Sequence, residues 1–142
     1  MNVKQISVFL ENKAGALSGL TRLLADNHVN LRALSIADTQ DFGILRLIAA
    51  DPREVAMILS SAGYVCNVTD VLAVTINDEP GGMAKVLTVL SDAGIGVEYT
   101  YAFVSSKKPG TAHMILRVSD LNAASAALST AAVEVLSQEE LL

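Results

Sequence analysis

An α+β fold built from two tandem copies of one small βαββαβ module is predicted by three observations on this 142-residue chain. Shifted by 66 positions, the sequence matches itself in order and without gaps: Val8 pairs with Val74, Gly15 with Gly81, Leu17 with Met83, Leu24 with Leu90, Asp26 with Asp92 and Val29 with Ile95. Within each copy the apolar residues switch from a period of two to a helical period and back. Hydrophobic residues make up 51% of the chain, enough to fill a core in each copy. Two copies of about 70 residues indicate two similar subdomains, since a solenoid needs at least about three shorter units. The modules are expected at 1–69 and 70–142.

Val3 to Leu10 alternates, with Ile6, Val8 and Leu10 on one side and Gln5 and Ser7 on the other, which predicts a half-buried strand. Leu17, Leu20, Leu23, Leu24 and His28 then fall at helical spacing and form one stripe that must pack on something. Leu31 to Ala37 and Phe42 to Ala50 are strands separated by Asp38-Thr39-Gln40-Asp41, a hairpin turn. Asp51 as cap and Pro52 at the first position start a second helix that runs to Gly63. Tyr64 to Val68 is a short fourth strand, joined through Thr69-Asp70 to Val71–Ile76. Copy two repeats the order: Val71 to Asn77, a helix from Gly82 to Ala93, strands Val97 to Ser105 and Ala112 to Val118, a helix from Asp120 through Thr130, and Val133 to Leu136. The tripeptide Ile44-Leu45-Arg46 recurs as Ile115-Leu116-Arg117, 71 positions on, which implies about five extra residues at the second hairpin tip, around Ser105 to Gly110. This is the split βαβ, ferredoxin-like pattern, with two helices on one face of a four-stranded antiparallel sheet. Each copy alone buries little surface, so the two sheets are expected to pair side by side.

The net charge is −5 and the ten Lys and Arg are scattered, so the footprint that holds nucleic acid or an anionic membrane is missing. The N-terminal residues alternate and meet charges at Glu11 and Lys13, too short an apolar run for a secretory signal or a membrane span, and a cytoplasmic protein is expected. Cys66 is the single cysteine, which excludes an internal disulfide and a multi-thiolate metal site, and it is expected to be a buried thiol. Tyr99, Tyr101 and Phe103 form an aromatic stripe, but on an acidic chain whose first copy has only Ala33 and Ser35 there, so packing is expected rather than RNA stacking. His28 closes a helix and His113 lies in a strand beside Met114, which suits structural roles. Arg46 and Arg117, taken as equivalent, are expected on solvated strand faces. No nucleophile with a base can be assembled, and no cofactor or metal is expected.

What remains is the loop between the first strand and first helix. Gly15, Gly81 and Gly82 allow positive φ or close backbone approach, and each helix start offers N–H groups and partial positive charge. Such a terminus can hold a carboxylate, while in one copy alone the glycine is read as merely permitting a tight strand-to-helix turn. The glycine spacing of a dinucleotide loop and the Gly-Lys-Ser/Thr of a nucleotide cradle are both missing, which favours a small carboxylic acid over phosphate.

The loop and helix pattern, used twice, resembles the ACT domain, a βαββαβ module that senses amino acids. Copy one carries the motif as Asn12-Lys13-Ala14-Gly15-Ala16-Leu17 and His28-Val29-Asn30-Leu31, and copy two as Asp78-Glu79-Pro80-Gly81-Gly82-Met83 and Gly94-Ile95-Gly96-Val97. Ala14 replaces the usual proline. The resemblance implies a non-catalytic regulatory protein, similar to free-standing regulatory subunits of acetolactate synthase, with a free amino acid held at the junction of two modules. Its partners would be that amino acid and a biosynthetic enzyme, and the chain would form a homodimer. It also implies ligand contacts from Asn12 to Leu17, Asn30, Leu31 and Asp78 to Met83. In the serine-sensing domain of phosphoglycerate dehydrogenase two asparagines contact the ligand, and these match Asn12 and Asn30; copy two departs with Asp78 and Gly96. Two other classes are compatible with the fold: a scaffold or regulatory subunit without a retained ligand site, and a small enzyme.

Overall fold

The computed structural model describes residues 2–105 and 107–141. Residues 1, 106 and 142, which fall in the expected first module, hairpin insertion and second module, lie outside the described residues. The chain divides into two compact units, Lys4–Thr69 and Asp70–Leu141 with the first residues of the chain. Each is a ferredoxin-like βαββαβ module.

In the first unit, β1 (Val3–Glu11), α1 (Ala16–Asp26), β2 (Leu31–Asp38), β3 (Phe42–Ala49) and α2 (Pro52–Ser61) follow one another. β3 pairs antiparallel with both β1 and β2. On the other side of β1 the Phe9 amide donates to the Val65 carbonyl at 2.9 Å, where the chain enters β4 (Cys66–Asn77). Alternation decides the faces: Ile6, Val8, Leu45 and Leu47 point to the helices and are closed over by Leu20 and Leu24 of α1 and Val55 and Leu59 of α2. Each such side chain contributes roughly 1.5–3 kcal/mol by leaving water. Leu17 and His28, at the two ends of the predicted stripe, stay exposed because the core ends one turn inside them. Cys66 is half-buried rather than buried: its thiol contacts Ser60 Oγ at 3.4 Å and donates to the Ala56 carbonyl at 3.6 Å.

The second unit repeats this with β4, α3 (Gly82–Asp92), β5 (Val97–Val104), β6 (Thr111–Val118) and α4 (Leu121–Thr130). β6 pairs with β4 and β5, and Val86, Leu90, Ala124 and Leu128 cover Leu72, Val74, Met114 and Leu116. The aromatic stripe lies on the opposite face, where Tyr99, Tyr101 and Phe103 stand across from Arg117, Ile115 and His113. No helix is long and apolar enough to cross a membrane among the described residues.

Three expectations are corrected. Tyr64–Val68 and Val71–Ile76 are not two strands joined by a link, because Thr69-Asp70 continues the extended chain and β4 is a single strand of 12 residues. Neither residue is a breaker, and the Asp70 carbonyl is satisfied by the Arg117 guanidinium at 3.0 Å. Val133–Leu136 is reduced to one bridge, Val74 with Val135, held by Thr75 N–H to Glu134 C=O and Leu136 N–H to Ala73 C=O. The third correction concerns register. Ile6 faces Leu47 and Leu72 faces Leu116, while Asp51 and Asp120 cap equivalent helices, so beyond the hairpin the copies stand 69 apart. The second hairpin is therefore three residues longer, with 105–110 against 39–41 between the strands. Arg46 matches Ile115, and Arg117 matches Ile48. The false tripeptide match is plausible in sequence because a slip of two residues preserves which side chains face the core.

Candidate functional site

Both strand-to-helix loops fold by the same backbone pattern. In copy one the Asn12 amide donates to Asp41, Lys13 to Glu11, Ala16 to Lys13 and Gly19 to Gly15; in copy two Asp78 donates to Gly110, Glu79 to Asn77, Gly82 to Glu79 and Lys85 to Gly81. Gly15 (φ 86°, ψ −12°) and Gly81 (φ 89°, ψ −9°) occupy the left-handed region at the helix N-cap, which L side chains rarely adopt. A glycine there brings no side-chain acceptor, and neither first turn contains an acidic residue. The other two helices differ. Asp51 accepts from the Glu54 amide at 3.1 Å and Asp120 from the Ala123 amide at 3.0 Å. In each module the helix that follows β1 or β4 thus starts with amides not capped by a side chain, and the other helix is capped.

The side chains around the two loops are not equivalent. Asn12 donates through Nδ2 to the carbonyls of Thr39 and Gln40, each at 3.4 Å, and so ties the loop to the β2–β3 hairpin. Its Oδ1 is left as the acceptor that a ligand ammonium can use. Lys13 Nζ lies 2.9 Å from Glu11 Oε2, and the hydrogen bond and charge of Glu11 hold the exposed ammonium above its usual pKa of 10.5. At the matching positions copy two has Glu79 and Asn77, with Asn77 Nδ2 donating to Glu79 Oε1 at 3.5 Å. Copy one therefore offers a cation beside its helix start, and copy two offers the carboxylates of Asp78 and Glu79. A Cβ on Gly82 would collide with the Asn77 carbonyl oxygen, whereas Ala16 occupies that position in copy one. The second loop is wound more tightly.

Beside the first loop lies a groove of about 120 Å³ whose walls include Leu10, Asn12, Lys13, Leu17, Ile36 and Asp38. On its other flank a cleft of about 390 Å³ is lined by Glu11, Lys13 and Ala16 together with Phe9, Phe42, Tyr64 and Val65. Sequence reasoning found the loop but not Ile36, Asp38, Phe42, Tyr64 or Val65. These arrive from β2, β3 and the segment that leads into β4, and only strand register identifies them. Asn30 and Leu31 are elsewhere: they follow α1, whose 11 residues at ~1.5 Å each set them about 16 Å along the helix from Gly15. Asn12 and Asn30 do not meet on one ligand inside the first module. Pro80 and Met83 stay with the second loop, where Met83 is exposed at the start of α3. His113 packs edge-on against Phe103, with centroids 5.3 Å apart, on the face opposite Met114. Arg117 pairs with Glu98 at 3.2 Å, a structural contact across the β5 bulge.

Residues 1–142 match a family model described as an ACT domain pair. Among solved structures, protein BT0572 from Bacteroides thetaiotaomicron is 38% identical, with a TM-score of 0.92 over 99% of this chain and 96% of that one. The ligand-free regulatory subunit of aspartate kinase from Thermus thermophilus shares the fold at 15% identity, with a TM-score of 0.67 over 91% of this chain and 90% of that one. The corresponding subunit from Thermus flavus does so at 16% identity, with a TM-score of 0.64 over 92% and 93%. No curated protein matches the sequence. The duplicated module is thus accounted for along its whole length, and the chain belongs to the ACT domain pair family.

Proposed function

We propose that this ACT domain pair is a non-catalytic regulatory protein that binds a free amino acid at the loop between β1 and α1. The observation that carries the reading is the start of α1: a left-handed glycine, no side-chain cap and no acidic residue in the first turn, beside an ammonium. Free first-turn amides and the partial positive charge of the helix end favour a carboxylate. Asn12 Oδ1 and the carboxylates of Glu11 and Asp38 supply acceptors for an ammonium, and Leu10, Leu17 and Ile36 supply apolar wall. A ligand so held shifts a conformational equilibrium by its difference in affinity between two states, and the signal passes to a separate protein such as a biosynthetic enzyme.

The second loop is the weaker site, because Asp78 and Glu79 oppose a carboxylate at the start of α3. Titration calorimetry against the twenty amino acids tests both statements. Heat of binding is expected for at least one of them, and Asn12→Ala is expected to weaken it more than Asp78→Ala does. No heat with any amino acid refutes the reading, and equal losses in the two variants refute the asymmetry.

A further inference from the structure

Part of the lining of the 390 Å³ cleft beside the first loop, Phe9, Phe42 and Val65, is not required by the fold, whereas Tyr64 also packs on the module's core. Phe9 is 56% exposed, Phe42 54% and Val65 67%, a concentration of open apolar surface that needs a reason. Copy two is an internal control. With the register set by the strand pairing, Phe9 corresponds to Thr75, Phe42 to Thr111, Tyr64 to Val133 and Val65 to Glu134. The same scaffold therefore closes without an aromatic ring at any of these places, and Thr111 is buried where Phe42 is open. The rings are a property of the first site and not of the module.

The charges at the mouth are also specific to copy one. Lys13 and Glu11 stand 2.9 Å apart, with both side chains more than half exposed. An exposed ion pair of this kind contributes little to stability, so its partners can be exchanged for those of a ligand at small cost. A carboxylate takes the ammonium of Lys13, and an ammonium takes the carboxylate of Glu11. Rings on the wall and opposite charges at the rim call for a molecule with a flat apolar group and a zwitterionic head. The volume lies in the range of small-molecule pockets.

We propose that the ligand of the first module is an aromatic α-amino acid, its ring in the cleft formed by Phe9, Phe42, Tyr64 and Val65, its carboxylate on the open first-turn amides of α1 and Lys13, and its ammonium on Glu11. This rests on the amino-acid-binding reading above and extends it to a ligand class and to a side-chain pocket outside the loop motif. Copy two carries Thr75, Thr111, Val133 and Glu134 at the matching positions and no ring, so one aromatic ligand is expected per chain.

The test is calorimetry of the intact chain with L-phenylalanine, L-leucine, L-serine and 3-phenylpropionate, repeated on Phe9→Thr and Phe42→Thr, which install the residues of copy two. Both positions are exposed, and an unchanged melting temperature will show that the variants fold. L-phenylalanine is expected to bind once per chain, more tightly than the other three probes, and to lose about tenfold in affinity in each variant, the scale of one aromatic contact. Binding of L-phenylalanine that is indifferent to both substitutions overturns the cleft. If L-leucine or L-serine binds in preference, with loss on Asn12→Ala, the aromatic inference fails and the amino-acid-binding reading stands. If none of the twenty amino acids binds, both fail.

Discussion

Four helices end in the same way in this chain, and each end demands a left-handed residue. At each C-terminus the amide two residues past the cap closes on a carbonyl of the last turn: Val29 on Leu24, Tyr64 on Leu59, Ile95 on Leu90 and Val133 on Leu128. Gly63 and Gly94 supply the left-handed residue in two cases, but His28 (φ 58°) and Ala132 (φ 60°) do so in the others. A side chain there costs roughly 1–2 kcal/mol, offset in part by the greater entropy a glycine loses on folding. Ala132→Gly and His28→Gly are therefore each expected to stabilise the protein by about 0.5–1 kcal/mol, read as a higher urea midpoint at unchanged slope. A drop in midpoint for both would mean that the imidazole and methyl make contacts that outweigh the backbone strain. The same residue-level reading explains the loop asymmetry, since Ala16 and Gly82 hold one structural position with different room for a Cβ.

Elements were legible where a local rule sets them, and illegible where pairing sets them. Asp51 and Asp120 were readable as caps, and the structure shows each accepting from an amide three residues on. Replacing either by alanine is expected to cost about 1 kcal/mol in a denaturation experiment, since the capped amide loses its acceptor. A loss below a few tenths in both would show that water serves those amides equally well. The glycine loops were likewise legible, because a left-handed turn before a helix leaves a residue signature. The walls around them were not: Ile36, Asp38, Phe42 and Tyr64 reach the first loop through the pairing of β1, β2 and β3 and the entry to β4. The Ile-Leu-Arg tripeptide misled for a related reason. Alternation fixes which face a strand residue takes and not its position along the ladder, so the tripeptide aligns Arg117 with Arg46 whereas the strand pairing aligns it with Ile48. Polar Thr69-Asp70 interrupts the apolar pattern, yet satisfied backbone groups let the strand run on.

At the scale of the whole molecule the duplication gives two modules with separate cores and one backbone design, but unequal chemistry at the loops. Copy one has a cation, an amide anchored to its hairpin and an aromatic cleft; copy two has two carboxylates and a tighter turn. The central claim is that the open amides at the start of α1 receive a ligand carboxylate, and amide chemical shifts report on those groups directly. In a ¹⁵N-labelled sample titrated with the amino acid that gives the largest calorimetric signal, the Leu17 and Ser18 amides are expected to shift most. The matching Met83 and Ala84 amides of α3, and the first turns of the capped helices α2 and α4, should shift little. Shifts confined to α2, α4 or the second loop, with Leu17 and Ser18 unmoved, would contradict the account.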